Sequence, residues 1–239
     1  MNIILFDQLK DENIIPFGDE RASHIRKVLR LGTGDTFKAG VINGQKGIAR
    51  ITAMDNQRIS FSFVGEGMGK PLHPVVLLVA QVRPISMRRI LREAVSLGVG
   101  KIILTTTDTA EKSYAQAKLY ESGEYRSILI DGAMQSGETA IAEVLFASSV
   151  QEAITLAGGP LLRIVLDNKR EAEPLSMMHI ERDASVLLAI GGERGFSDRE
   201  REVFDTRGFQ YASLGTRILR TETAVSAGVA LLLGRMGLL

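Results

Sequence analysis

Two glycine-rich stretches late in the chain hold the residue types from which a ligand site can be built. The first is Gly191-Gly192-Glu193-Arg194-Gly195-Phe196-Ser197, directly after an apolar run that ends at Ile190. Without a Cβ, glycines let backbone N–H and C=O groups come close to a flat ligand. The second is Leu214-Gly215-Thr216-Arg217-Ile218-Leu219-Arg220-Thr221-Glu222-Thr223-Ala224. Arg217 and Arg220 are permanent cations whose planar forks match phosphate or an anionic oxygen. The standard nucleotide loops do not fit either stretch. A Walker loop needs Gly-Lys-Ser/Thr, and the chain has none. A dinucleotide fingerprint sits at the first βα turn with an acid about twenty residues on; here the loop lies late and Tyr211 stands at that distance. A plain tight turn is the alternative for the first stretch. For the second it is a helix cap, since Thr221 and Thr223 can serve as capping hydroxyls.

Further cations cluster in two places. Arg21, His24, Arg26, Lys27 and Arg30 crowd one early segment, and Arg83, Arg88, Arg89 and Arg92 another. Each group reads either as a solvated face or as a track for a phosphate backbone. The histidines His24, His73 and His179 are far apart and match no metal motif. With no cysteine in the chain, disulfides, thiolate metal sites and a cysteine nucleophile are excluded.

The elements that must position these residues follow from periodicity. From Lys38 to Val64 the chain reads as strands and tight turns, with turn pairs at Asn43-Gly44 and Asp55-Asn56. Ile59, Phe61 and Phe63 alternate with polar residues, as in a half-buried strand. Ile3–Phe6 is a further strand, and Glu20–Leu31 is a helix stopped by Gly32. Gly65–Pro74, rich in glycine and proline, reads as a linker. Beyond it strands alternate with helices. The strands are Val75–Val82, Lys101–Thr105, Leu161–Leu166, Ser185–Ile190 and Phe209–Ser213. Met87, Ile90, Leu91, Ala94 and Val95 mark one face of a helix over Ser86–Leu97. Continuous apolar runs such as VLLAI suit strands covered on both faces, hence a parallel α/β sheet. Tyr114–Met134 reads as one long helix. Ser197-Asp198-Arg199-Glu200 matches a capping box that starts another. The last helix, Thr223–Arg235, is apolar on nearly every side, as a core helix or a subunit contact would be.

Composition sets the class. The chain has 239 residues, 45% hydrophobic and 24% charged, with a formal net charge of +1. This is an ordinary balance for a globular protein. Its apolar runs are too short for a membrane span and its start lacks a signal-peptide pattern, so a cytoplasmic location is expected. A charge so near zero requires any nucleic-acid contact to come from a local patch.

The pairing of GGERGFSDRE with LGTRILRTETA resembles the RsmE-type 16S rRNA uridine-N3 methyltransferases of the SPOUT superfamily. Their signature is G-P-E-G-G-F-S followed by L-G-x-R-I-L-R-T-E-T-A. HIRKVLRLGTGD at His24–Asp35 is similar to that family's PUA-like domain, and EAVSLGVGKI to its K-A-T-E-L-G-V segment. The resemblance covers essentially the whole chain. It implies a small PUA-like β-barrel RNA-binding domain over residues 1–70. A SPOUT domain over 75–239 would follow, an α/β knotted parallel sheet with helices on both faces and a trefoil knot. The departures are Gly192 for the loop proline, Arg194 for one of its paired glycines, Ser96 for a glutamate, and Glu138 for an arginine after Gln135-Ser136.

By position, the resemblance assigns S-adenosylmethionine to Leu166, Gly191, Gly192, Glu193 and Gly195. From the second stretch it adds Leu214, Gly215, Ile218, Leu219 and Thr221. Arg220 would lie nearest the transferred methyl and steady a uracil anion, with Glu193, Glu222 or water taking the proton. RNA would meet His24, Arg26, Lys27, Arg30, Arg88 and Arg217. No metal is implied, because attack on a sulfonium methyl requires alignment and proton removal only. The implied partners are 16S rRNA or the small ribosomal subunit and a second copy in a homodimer, without a membrane. Two alternatives stay open: a SPOUT enzyme acting on another rRNA or tRNA nucleotide, and a non-catalytic RNA-binding assembly factor of the same fold.

Overall fold

The computed structural model describes residues 2–159 and 162–239, which fall into two compact units. One comprises residues 1–71 and 133–141; the other comprises 72–132 and 142–239.

The first unit contains β1 (Ile4–Phe6), β2 (Glu12–Pro16), α1 (Glu20–Ser23), β3 (Thr36–Val41), β4 (Gln45–Met54) and β5 (Arg58–Met68). The strands form one curled sheet in the order β1-β3-β4-β5-β2. Pairing is antiparallel except between β1 and β3. The expected alternation puts Ile59 and Phe61 wholly inside, where Phe61 lies 5.4 Å from Phe6 and 5.5 Å from Phe37, ring to ring. Both expected turns are present: Asn43 takes a left-handed φ of 58°, and Asp55 Oδ1 accepts from the N–H groups of Gln57 and Arg58.

Two expectations fail here. The helix expected over Glu20–Leu31 is α-helical only to Ser23 and continues as a π-helical turn over His24–Val28. Arg30 then turns left-handed at φ 57°. Gly65–Met68 is strand, not linker, because β5 keeps pairing with β4 as far as Met68.

The second unit begins with β6 (His73–Ala80), α2 (Pro84–Ser96), β7 (Val99–Thr105), α3 (Lys118–Glu121), α4 (Glu124–Ser136), β8 (Glu143–Ala147) and α5 (Val150–Ala157). It continues with β9 (Leu162–Leu166), β10 (Glu173–Pro174), β11 (Val186–Ile190), α6 (Asp198–Thr206), β12 (Gln210–Ser213) and α7 (Thr221–Arg235). The end of α4 belongs to the first unit. The seven strands are parallel throughout, in the order β10-β12-β9-β11-β6-β7-β8. Leu161, expected in β9, lies outside the described residues.

β11 is buried at all five positions, as a strand covered on both faces must be. Leu187 and Ala189 join Phe196, Phe204 and the α5 residues Ala153 and Ile154 in one cluster. Leu188 and Ile190 point the other way, toward Gly228 of α7, which packs beside α2. The helix expected over Tyr114–Met134 is broken into a 3₁₀ turn at Lys112–Gln116, α3 and α4. The last break falls at Gly123, whose φ of +73° no helix can accommodate. Among the described residues no helix is long and apolar enough to cross a membrane.

Candidate functional site

Strand register brings the two glycine stretches together. Ile190 at the end of β11 pairs with Leu166 at the end of β9, and Leu166 pairs in turn with Ala212 of β12. Three parallel strands therefore stop level, and the loops after residues 166, 190 and 213 emerge side by side at the carboxyl edge. Such an edge is the common ligand position in open α/β sheets. A cleft of about 260 Å³ lies between the loops, near the lower end of small-molecule sites.

All ten residues matched to the cofactor line this one cleft. Leu166 comes from the first loop; Gly191, Gly192, Glu193 and Gly195 from the second; Leu214, Gly215, Ile218, Leu219 and Thr221 from the third. Arg217 lines it as well, and Arg194 lines it while itself exposed. Arg220 is not among the lining residues; it is exposed and forms the N-cap of α7. Its side chain makes no capping bond, and neither threonine fills that position. The first N–H groups of α7 therefore lack intrahelical acceptors beside an arginine, which gives that end of the helix positive character.

The loop over 191–197 is held from several sides. Gly195 N donates to Gly192 O at 2.9 Å, and Gly195 has φ +66°. A Cβ on Gly191 would stand 2.9 Å from Gly195 Cα, too close for any side chain. At Gly192 a Cβ would meet only Ala80 and Val82 at ordinary distances. A single Cβ is therefore accommodated at this position. Ser197 caps α6 in the expected capping box with Glu200. Thr109 Oγ1 donates to Gly195 O at 2.6 Å, and Asp108 N to Glu200 Oε1 at 2.9 Å. Asp108 in turn accepts from Ser197 and Arg199, which hold its carboxyl below the usual carboxylate range.

Sequence reasoning missed the polar support beneath the cleft. Arg201 of α6 donates through Nε to Asp167 Oδ2 at 2.9 Å and through Nη1 to Asp198. Asp167 follows Leu166 and lines the cleft, and its Oδ1 accepts from Lys169 N at 2.7 Å. Neither residue belongs to a motif, and 34 positions separate them. The adjacency of Asp167 to the end of β9 was the one available signal.

The residues matched to RNA fall in two groups. In the first unit, His24 and Arg26 lie on the π-helical turn, with Lys27 and Arg30 exposed beside them. Arg26 stacks 3.7 Å over the Phe17 ring. Burial, then the N-terminal charge, lowers the His24 pKa. In the second unit, Arg88 is gripped by both carboxylate oxygens of Glu124, at 2.8 and 2.9 Å. The two remaining departures have local explanations. Glu138 takes an ion pair from Lys46 at 2.6 Å and a bond from Lys70 N. Burial raises its pKa, and these partners outweigh burial to bring it down. Ser96 Oγ bridges Arg92 O and Gly132 O, tying α2 to α4.

Comparison with known proteins agrees with this geometry. A family model for an RNA methyltransferase domain matches residues 69–233, and one for an RNA methyltransferase PUA domain matches residues 17–64. The chain is 36% identical over 242 residues to the ribosomal RNA small subunit methyltransferase E of Treponema pallidum, covering 98% of this chain and 91% of that one. It is 29% identical to the Borreliella burgdorferi protein of that name, numbered 1, over 95% of both chains. Among solved structures, it superposes with TM-score 0.79 on the Neisseria gonorrhoeae methyltransferase E bound to S-adenosyl methionine. That match is 22% identical over 98% and 97% of the two chains and speaks for the fold.

Proposed function

The chain belongs to the RNA methyltransferase family that contains ribosomal RNA small subunit methyltransferase E, and from this we propose that it transfers a methyl group from S-adenosylmethionine to RNA of the small ribosomal subunit, at N3 of a uridine in 16S rRNA. The observation that carries the reading is the convergence of both glycine stretches on one cleft. The fit is chemical as well as spatial. Glycines at 191, 192, 195 and 215 leave backbone groups open, and Leu166, Leu214 and Leu219 give apolar walls. Such a mixture suits an adenosyl group with a charged tail.

When bound, the cofactor supplies an electrophilic methyl carbon. The chain's part is to hold the acceptor in line with it and to stabilise negative charge on the uracil as N3 loses its proton. In this reading Arg220 faces uracil O2 or O4. It is a permanent cation, assisted by the unpartnered N–H groups at the start of α7. An arginine cannot take the proton. Glu193, which lines the cleft, Glu222 or water does so. His24, Arg26, Lys27, Arg30 and Arg217 hold the RNA backbone, and Arg88 joins them by exchanging Glu124 for a phosphate. The reading extends to residues 75–239 as a SPOUT domain with a trefoil knot, among the rare exceptions to unknotted chains. It also places the protein as a homodimer in the cytoplasm, with the partly exposed Leu231 of α7 toward the second copy.

The deciding experiment incubates purified protein and methyl-labelled S-adenosylmethionine with small subunits that lack the modification, and then maps the labelled base. Label on N3 of one uridine is expected. Label on a different nucleotide would replace the target, and cofactor binding without any transfer would favour an assembly factor.

A further inference from the structure

A second cavity, of about 360 Å³, opens at the same edge of the parallel sheet. Gln81, 4% exposed, and Thr106 come from the ends of β6 and β7, and residues Thr107, Asp108, Glu111 and Lys112 complete the polar lining. One feature marks it as built to receive something. The Thr107 hydroxyl is buried without a hydrogen-bond partner. Buried polar atoms in folded proteins nearly always find partners, so a ligand with matching groups would gain what the protein leaves unmade.

Hydrogen bonds connect the cavity to the cleft. Thr109, between its lining residues, donates to the Gly195 carbonyl, and Asp108 is tied to the start of α6 through Ser197, Arg199 and Glu200. Arg83 stands next in the chain after Gln81 and Val82. It bonds the Tyr114 hydroxyl at 3.1 Å and lies in the field of Glu193 and Glu111. An anion would meet Asp108 and Glu111 inside. A flat neutral group bearing both donors and acceptors would meet the Gln81 amide and the Thr107 hydroxyl, while the exposed Lys112 offers charge for a phosphate.

We infer that this cavity receives one unstacked nucleotide of the substrate RNA, base against Gln81 and Thr107 and phosphate toward Lys112. Unstacked bases are read in this way, by hydrogen bonds along their edges. The nucleotide is a neighbour of the methylated one, because an amide paired to a uracil edge would occupy the N3 that must stay free. The inference rests on the reading that the substrate is RNA.

The test uses the full chain with labelled threonine and alanine methyl groups, titrated with uridine, cytidine and guanosine 5′-monophosphates. Resonances of Thr107, Ala110 and Ala115 should shift for at least one nucleotide, while that of Ala224 in the cleft stays still. No shift at the three positions with any nucleotide overturns the site. In steady-state assays, Thr107→Val and Lys112→Ala should each raise KM for RNA about tenfold, with kcat, cofactor affinity and thermal midpoint retained. Unchanged KM in both variants also overturns it. Nucleotide binding at Thr107 by a protein that transfers no methyl would keep this site and remove the transferase reading instead.

Discussion

Arg201 and Asp167 form an ion pair in which the two side chains are only 3% and 2% exposed. The pair joins α6 to the loop that follows β9, so one wall of the cleft is fixed from below by charge.

Breaking that pair should be costly. Removing one partner of a buried pair leaves the other charge unpaired, which typically costs about 3–5 kcal/mol. Asp167→Ala should therefore lower the urea midpoint sharply and weaken cofactor binding with it. A stable Asp167→Ala protein with native cofactor affinity would show that the cleft does not depend on this support.

Adjacent glycines should respond differently. Gly191→Ala forces a Cβ against Gly195 backbone atoms at 2.9 and 3.0 Å. We expect a loss of about 1–3 kcal/mol and at least tenfold weaker cofactor binding by titration calorimetry. Gly192→Ala meets only ordinary contacts and should leave both measurements near native.

Arg220→Ala should separate binding from transfer. The cofactor's Kd should stay within about twofold, since Arg220 does not line the cleft. The single-turnover rate should fall by about 10²–10³, the usual loss for one charge-stabilising group. Transfer at the native rate would remove Arg220 from the mechanism.

Acid should release the Asp108 tie. Its folded pKa lies below 3.8, chiefly through Arg199 and Ser197. A depressed carboxylate contributes its full stability above the unfolded value and loses it as pH falls through the folded one. The stability difference between wild type and Asp108→Asn should thus be constant from neutral pH to about 5, then shrink below about 3.8. A difference that did not shrink at all below about pH 3.8 would assign the effect to something other than titration of Asp108.

Salt should report on the π-helical turn. If Lys27 and Arg30 contact phosphates, replacing each by alanine should reduce the slope of log K against log salt by about 0.7 for single-stranded RNA. An unchanged slope would make them a solvated face.

How much of this was legible in the sequence depended on the range of the interaction. The β11 run VLLAI, the Ser197 capping box and the alternation at Ile59 and Phe61 are set by local periodicity, and all are present in the structure. Gly195 and Gly215, one in each glycine stretch, take the positive φ that glycine accommodates without strain. The π-helical turn at His24–Val28 and the break at Gly123 were not legible, because a helical pattern does not say which hydrogen-bond ladder will be used. Nothing local could have paired Asp167 with Arg201 or Glu138 with Lys46. The first arises only when strand register stops β9, β11 and β12 at one level and α6 packs beside the loop after β9, and the second only when the segment after α4 returns to β4. The residue types and their order thus determined which chemistry was available, and tertiary packing decided which of those residues meet, since a charge finds its partner only after the sheet has set the distance between them.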